Sequence, residues 1–381
     1  MAAKKTHVAL LFGGNSSEHD VSKRSAHNVF DALKKDLYDV DIFMFSKAGI
    51  LMGKEASLRI WNGENEDAVV AEEMAKMDMS NVLAPIAALS DIKDIDIFWP
   101  VIHGNLGEDG TIQGLFKLLN KPFIGAPQTA SGMAFDKELT KRIMNQAGVR
   151  NTNYVLVTPE NKSENDYATV AAKLGETLFV KPAKQGSSVG MAMVKNAEEY
   201  DRALADALQY DFKVIIEETI LHPRELEISI LGNEAPKASK LGEVIVPESD
   251  AFYDYNNKFV DASGVVFDLP AVVEPELEAE ITDMALRAYQ ALELKGLTRI
   301  DFLVDANGVP YLGEPNTLPG MTNISLYPQM WEVSGISYSD LLDKIIEYGF
   351  AEFERNTKIS YDFVSLGDEH VGEKRYNADK A

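Results

Sequence analysis

The sequence predicts an α/β protein built from several domains. Two patterns carry that reading. Apolar runs ending in glycines alternate with stretches of helical spacing through the first third of the chain, and a crowd of short strand-like runs follows. At 381 residues the chain is too long for one ordinary core, so two or three domains are expected.

The first apolar run, "HVALLFGG", is continuous and closes on glycines, as a buried parallel strand does. It leads into "NSSEHDVSKRSAHNVFDALKK", where Val21, Val29 and Leu33 keep near-helical spacing after the capping candidates Ser16 and Ser17. The pattern recurs in "IDIFWPVIHG", the loop "NLGEDG", the helical "TIQGLFKLL" and "KPFIGA", which places functional loops at strand ends. After Pro127 the helix "DKELTKRIMNQAGV" precedes the short strands "NYVLV", "TLFVKPA", "SVGMAMV", "KVIIEET" and "ELEISIL". A helix over Pro275–Leu292, the paired runs of "LTRIDFLVDANGVPYLGEPN" and a helix near Tyr338–Tyr348 complete the pattern. The polar end "DEHVGEKRYNADKA" reads as a frayed tail.

Composition excludes several classes. A net charge of −23 with no basic stripe speaks against nucleic acid. The run Val8–Phe12 is too short for a signal-peptide core, and no later stretch is long enough to span a bilayer. The chain has no cysteine, so disulfides and thiolate metal sites are out, and a cytoplasmic location is expected. In so acidic a protein, any cations that meet an anionic ligand must be placed individually.

The most informative segment is "RIDFLVDANGVPYLGEPN". Two apolar runs flank Asn307-Gly308, which signals a hairpin with a two-residue turn. Counting outward from an Ala306–Val309 pair sets Asp301 opposite Glu314, with Arg299 and Asn316 on the same face. Facing carboxylates repel each other, and a hard divalent cation between them removes the problem. "FVKPAKQGSSVGMAMV" is strand, Gly/Ser loop, strand, with Lys181 and Lys184 nearby. It suits a phosphate cover, although taken alone an ordinary glycine hairpin is the better reading, and it lacks the Walker A pattern. Glu18 and His103 each follow a predicted strand and, taken singly, carry no functional label. Together these residue types suit a nucleotide site: lysines for phosphates, a Gly loop as cover, carboxylates with Asn for magnesium, and an arginine beside the metal.

"GGNSSEHDVS", "HGNLGEDGTIQG", "VKPAKQGSSVG", "TRIDFLVD" and "GEPNTLPGMTNISL", in that order, resemble the D-alanine–D-alanine ligase family of ATP-grasp enzymes from about Val8 to Tyr348. The resemblance implies a Rossmann-like domain over 1–125 and two α+β domains, 126–216 and 217–365, that clamp ATP, with a polar tail over 366–381. It implies ATP as co-substrate, magnesium as two ions with manganese able to substitute, a homodimer, and a place in peptidoglycan precursor and cell-wall synthesis.

Position by position, the resemblance assigns Glu18 to the ammonium of the first D-alanine, with His103 assisting. Lys137 and Lys181 would contact ATP phosphates under the loop Gln185–Gly190, including Gly186, Ser187 and Ser188. Glu217, Glu218 and the backbone near Ile220 would take the adenine and Glu225 the ribose. Arg299 and the Gly320 N–H would face the reacting carboxyl oxygen. Asp301, Glu314 and Asn316 would bind magnesium, in agreement with the hairpin count, and Ser325 with Leu326 would hold the second substrate's carboxylate. ATP would first convert D-alanine to an acyl phosphate, which the second substrate then attacks; an oxyanion donor is worth roughly 3–4 kcal/mol of barrier. A lid is expected to exclude water.

"SDAFYDYNNKFVDASG" matches that lid, with Lys258 in the substrate subsite and one departure. Most peptide-forming members carry tyrosine where this chain has Phe259, and its hydroxyl joins a network with the counterparts of Ser187 and Glu18. Members with phenylalanine resemble the ligases of intrinsically vancomycin-resistant lactic acid bacteria, which join D-alanine to D-lactate. The expectation is therefore a D-alanine–D-lactate ligase, with the dipeptide ligase as the alternative.

Overall fold

The computed structural model describes residues 4–78, 80–245 and 266–360. Among them, three sheets organise the chain. The first is parallel, in order β2-β1-β3, with β1 (Thr6–Gly13) between β2 (Tyr38–Phe45) and β3 (Ile97–Pro100). Alternation along β1 feeds two cores. Val8, Leu10 and Phe12 join α1 (His19–Ala32), while Ala9 and Leu11 meet Phe98, Ile112 and Phe116 on the other face, the last two from α4 (Thr111–Leu118). The continuous apolar run follows from this two-sided burial. The expected caps Ser16 and Ser17 do not cap α1: Glu18 is its N-cap residue, without a side-chain bond, and Ser16 Oγ donates to the His103 carbonyl at 2.7 Å. That bond ties the first glycine loop to the second and leaves Glu18 at the helix mouth.

The second sheet is antiparallel, in order β4-β7-β5-β6. It comprises β4 (Tyr154–Val157), β5 (Leu178–Pro182), β6 (Ala192–Val194) and β7 (Val214–Glu218). Its apolar face packs under α7 (Tyr167–Leu174) and α8 (Ala197–Ala207). Of the expected strand "SVGMAMV" only the last three residues are strand; Ser187 and Ser188 sit in left-handed backbone at φ 52° and 59° and cannot continue a ladder.

The third sheet has the order β10-β9-β8-β11-β12. Its strands are β8 (Arg224–Leu231), β9 (Lys237–Ile245), β10 (Val266–Asp268), β11 (Leu297–Val304) and β12 (Pro310–Asn316). α9 (Pro275–Ala291) covers it together with residues of α5 (Gln128–Phe135) and α6 (Lys137–Gln146). α10 (Leu326–Val333) and α11 (Tyr338–Thr357) then return to the first layer, where Leu341, Leu342, Ile345 and Ile346 join its core. α11 runs well past the expected end at Tyr348.

The β11–β12 hairpin departs from the expected turn. Asp305 Oδ1 accepts the N–H groups of Asn307 and Val309 at 2.9 and 2.8 Å, and Asp305 N–H donates to Val309 C=O, so Ala306, Asn307 and Gly308 all lie in the turn. The register beside it is Val304 with Pro310, one residue off the two-residue count. Between Phe302 and Asp301 it shifts back, Gly313 being the extra residue, and Asp301 stands opposite Glu314. Among the described residues no helix is long and apolar enough to cross a membrane.

Candidate active site

The three sheets converge on a cavity of about 560 Å³. Every predicted site residue within the described chain lines it: Glu18, His103, Lys137, Lys181, Gln185 to Ser188, Glu217, Glu218, Ile220, Glu225, Arg299, Asp301, Glu314, Asn316, Gly320, Ser325 and Leu326. Lys258 and Phe259 lie outside the described residues.

α6 brings cations to the inner wall. Asp136 caps it, accepting from Glu138 N–H and Leu139 N–H, and Lys137 and Lys141 project one turn apart from the same face. Lys137 Nζ donates to the Gln185 carbonyl at 2.7 Å and meets Glu314 at 2.9 Å, joining the Gly/Ser loop to the third sheet. Lys141, whose side chain is 4% exposed, reaches Glu217 at 3.0 Å and Thr152 Oγ1 at 2.7 Å. Lys181 approaches the other Glu217 oxygen at 2.8 Å. Burial pushes the Glu217 pKa up, but the two lysines outweigh it and hold the carboxyl at about 2. Burial also pushes Lys141 below its ordinary value, against the pull of Glu217.

On the third sheet Arg299 forks onto Asp301 at 2.7 and 2.8 Å and touches Glu227 at 2.9 Å. Burial opposes its charge; Asp301 and Glu227 overcome that and raise its pKa. Asn316 Nδ2 donates to Asp301 Oδ2 at 3.0 Å. Two carboxylates and an amide oxygen within one cross-strand patch form a hard-oxygen donor set of the kind magnesium takes, so the residues fit the ion.

The first layer contributes Glu18 between two glycines. A Cβ on either Gly104 or Gly186 would come within 3.1 Å of Glu18 Oε2. Ser187 Oγ is buried with no hydrogen-bond partner among the described residues, in a stretch of successive left-handed residues on the cavity wall. Glu218 is engaged from outside by Asn153, whose N–H donates at 2.7 Å. Ser325 precedes α10 and holds Thr322 N–H at 3.0 Å, so the start of that helix opens on the cavity.

Three contributors escaped the sequence reading. Lys141 carried a usable signal, its spacing of four from Lys137. Glu227 showed none, being one acid in an alternating strand. Glu108, in "GEDG", reads as a loop acid, yet its pKa is pushed up to about 8, first by burial and then by Glu18.

Two family models match the chain: "D-ala D-ala ligase N-terminus" over residues 7–126 and "D-ala D-ala ligase C-terminus" over residues 143–347. The chain belongs to the D-alanine–D-alanine ligase family. It is an ATP-dependent ligase with the ATP-grasp fold. It is 67% identical over 376 residues to a D-alanine–D-alanine ligase of Limosilactobacillus reuteri, covering 99% of this chain and 100% of that one. A D-alanine–D-alanine ligase of Limosilactobacillus fermentum is 66% identical, with 99% and 100% covered. Among solved structures, the D-alanine–D-alanine ligase of Coxiella burnetii superposes with a TM-score of 0.77 at 30% identity, over 93% of this chain and 98% of that one. The VanG D-Ala:D-Ser ligase of Enterococcus faecalis does so at 0.74 and 28%, over 91% and 100%.

Proposed function

We propose that this ligase joins two molecules of D-alanine through a D-alanyl phosphate, as a supplier of peptidoglycan precursor. The observation that carries it is one cavity on which the Glu18 carboxylate, the paired cations Lys137, Lys181 and Arg299, and a hard-oxygen donor set all open. Names of relatives at up to 67% identity speak for the dipeptide rather than for the D-lactate product expected from the sequence.

In the first step a carboxylate oxygen of D-alanine bonds to the γ-phosphorus of ATP as the bridging oxygen leaves with ADP. Lys137 and Lys181 would meet the phosphate charge, and the Ser187–Ser188 backbone would close over it. Asp301, Glu314 and Asn316 would hold magnesium, which when bound draws charge off the phosphate oxygens. In the second step the acceptor attacks the acyl carbon and phosphate departs. Arg299 and the Gly320 N–H would stabilise the oxyanion, and the N-terminus of α10 at Ser325 and Leu326 suits the acceptor's carboxylate.

A second reading, D-lactate as acceptor, rests on Phe259, where the family resemblance implies a tyrosine hydroxyl that joins the counterparts of Ser187 and Glu18. One hydrogen bond to a charged group is worth about 1.5–3 kcal/mol, enough to shift preference tenfold or more. The two readings separate in one experiment: the enzyme receives ATP with equal D-alanine and D-lactate near neutral pH, and products are weighed by mass spectrometry. Dipeptide alone, unchanged in Phe259→Tyr, supports the main reading. A dominant ester that gives way to dipeptide in Phe259→Tyr overturns it. Absence of D-alanine-dependent ADP release would remove both.

A further inference from the structure

The loop that follows β12 is gripped from the first layer at the level of single peptide groups. Leu318 N–H donates to Glu108 Oε1 at 2.9 Å, and Leu318 C=O lies 2.8 Å from His103 Nδ1. A carbonyl only accepts, so Nδ1 carries the proton and Nε2 is left as the acceptor for the Ser25 hydroxyl, 3.1 Å away. Ser25 Oγ in turn accepts Met321 N–H at 3.3 Å, and the second Glu108 oxygen accepts Gly104 N–H at 3.0 Å. The loop is thus held at 318 and at 321, and Gly320 lies between the two grips on the cavity wall.

His103 is 4% exposed and both its ring nitrogens are engaged, one by a backbone carbonyl and one by a hydroxyl. It has no polar atom left to offer a substrate. Burial lowers its pKa, outweighing Glu18, which agrees with a neutral ring that donates once and accepts once. The expectation that His103 assists the ammonium subsite directly does not fit this geometry.

We propose that His103 and Glu108 are positioning residues that clamp the Leu318 peptide and thereby fix the Gly320 N–H relative to the Glu18 subsite. The clamp rests on the proposed acyl-phosphate chemistry for its kinetic meaning, but its existence is a matter of backbone protection alone. A displacement on the order of 1 Å at a reacting centre costs about 100-fold in rate, which is the scale expected when the grip is lost.

The test uses the full chain as wild type, His103→Leu, His103→Asn and Glu108→Gln. Asparagine keeps an N–H able to reach Leu318 C=O; leucine does not; glutamine turns an amide N–H toward one of the two backbone donors that Glu108 holds. In His103→Leu and Glu108→Gln, kcat is expected to fall by about 10- to 100-fold, with the KM for ATP within about twofold of wild type. ADP released per joined product should rise above one, because a displaced Gly320 slows capture of the acyl phosphate relative to its hydrolysis. His103→Asn should recover most of kcat and restore the ratio. Amide exchange of the peptide spanning 317–321, read by mass spectrometry, should quicken in His103→Leu and Glu108→Gln. An unchanged exchange rate overturns the clamp whatever the activity. A raised KM for D-alanine with unchanged kcat in all His103 variants also overturns it, making His103 a substrate contact. If wild type releases no ADP with D-alanine, the ligase reading falls while the exchange data still decide the clamp.

Discussion

Lys141→Met removes one of the two cations that hold Glu217 and keeps an unbranched aliphatic stem at the same position on α6. Both carboxyl and ammonium are nearly enclosed, with side chains 7% and 4% exposed. Holding Glu217 at about 2 against an ordinary 4.5 corresponds to about 3 kcal/mol of preference for the anion, shared between Lys141 and Lys181. Removing one partner of a buried pair costs about 3–5 kcal/mol, and the surviving 2.8 Å contact to Lys181 places this variant at the lower end, about 3 kcal/mol. Thr152 also loses the donor to its hydroxyl and carbonyl. The depressed Glu217 pKa means that its stabilisation is present above about 4.5 and lost as pH falls toward 2. With Lys141 gone the folded pKa rises, so the variant should lose stability at a higher pH than wild type. Urea unfolding followed by far-UV ellipticity reads this directly; tryptophan fluorescence does not, because Trp61, Trp99 and Trp331 all lie outside the second sheet and its helices. A loss below 1 kcal/mol at neutral pH, or an acid transition that stays where wild type has it, would refute the argument. The ATP constant should rise in the same variant, since among the described residues Lys181 becomes the one cation left on Glu217.

Glu314→Gln relieves cross-strand repulsion with Asp301 but removes the carboxylate that Lys137 meets at 2.9 Å, so melting should fall modestly while ADP release is abolished; near-normal turnover removes Glu314 from the metal set. Gly186→Ala adds a Cβ 3.1 Å from Glu18 Oε2 at a backbone that tolerates it, so the KM for D-alanine should rise several-fold with ATP unaffected; the reverse pattern would assign Gly186 to ATP alone. Glu108, pushed up to about 8, keeps its proton in the folded chain longer than in the unfolded one. Its stabilisation is full below about 4.5 and lost as pH rises through 8, so melting temperatures of wild type should fall relative to Glu108→Gln over that window, and parallel curves would contradict the burial argument.

Much of the fold was legible because burial on two faces writes continuous apolar runs, as in β1, and burial on one face writes spacing, as in α6. The Asp301–Glu314 pairing was legible from residue type and strand count, whereas the Gly/Ser loop at 186–188 taken alone reads as an ordinary hairpin and Ser325 came only with the family resemblance. Lys141 and Glu108 were not, and for one reason. Their roles exist only because tertiary packing removes water from them, and a local sequence window contains no term for that. On an isolated helix Lys137 and Lys141, four apart, read as one solvated face with mild repulsion. In the fold that face is the inner one, and the repulsion is met by Glu314 on one sheet and Glu217 on another.

The Asp301–Glu314 pair shows how a correct contact follows from an incorrect turn. The two-residue count gave the right partners because two departures offset each other: the Asp305 side chain draws a third residue into the turn, and one residue on β12, Gly313, is left without a partner. Only glycine fits there without displacement, since a Cβ at 313 would lie 3.2 Å from the Asp301 carbonyl oxygen. The bulge therefore restores the register at the two carboxylates and not earlier, between Phe302 and Asp301. On the far side of it Phe302 and Leu312 point into the core. On the near side Arg299, Asp301, Glu314 and Asn316 open on the cavity. One unpartnered glycine thus lets a single hairpin keep an apolar register at its turn and a charged one at its mouth. The cations there are matched against carboxylates one by one, as a chain of net charge −23 requires if it is to receive a polyphosphate at all.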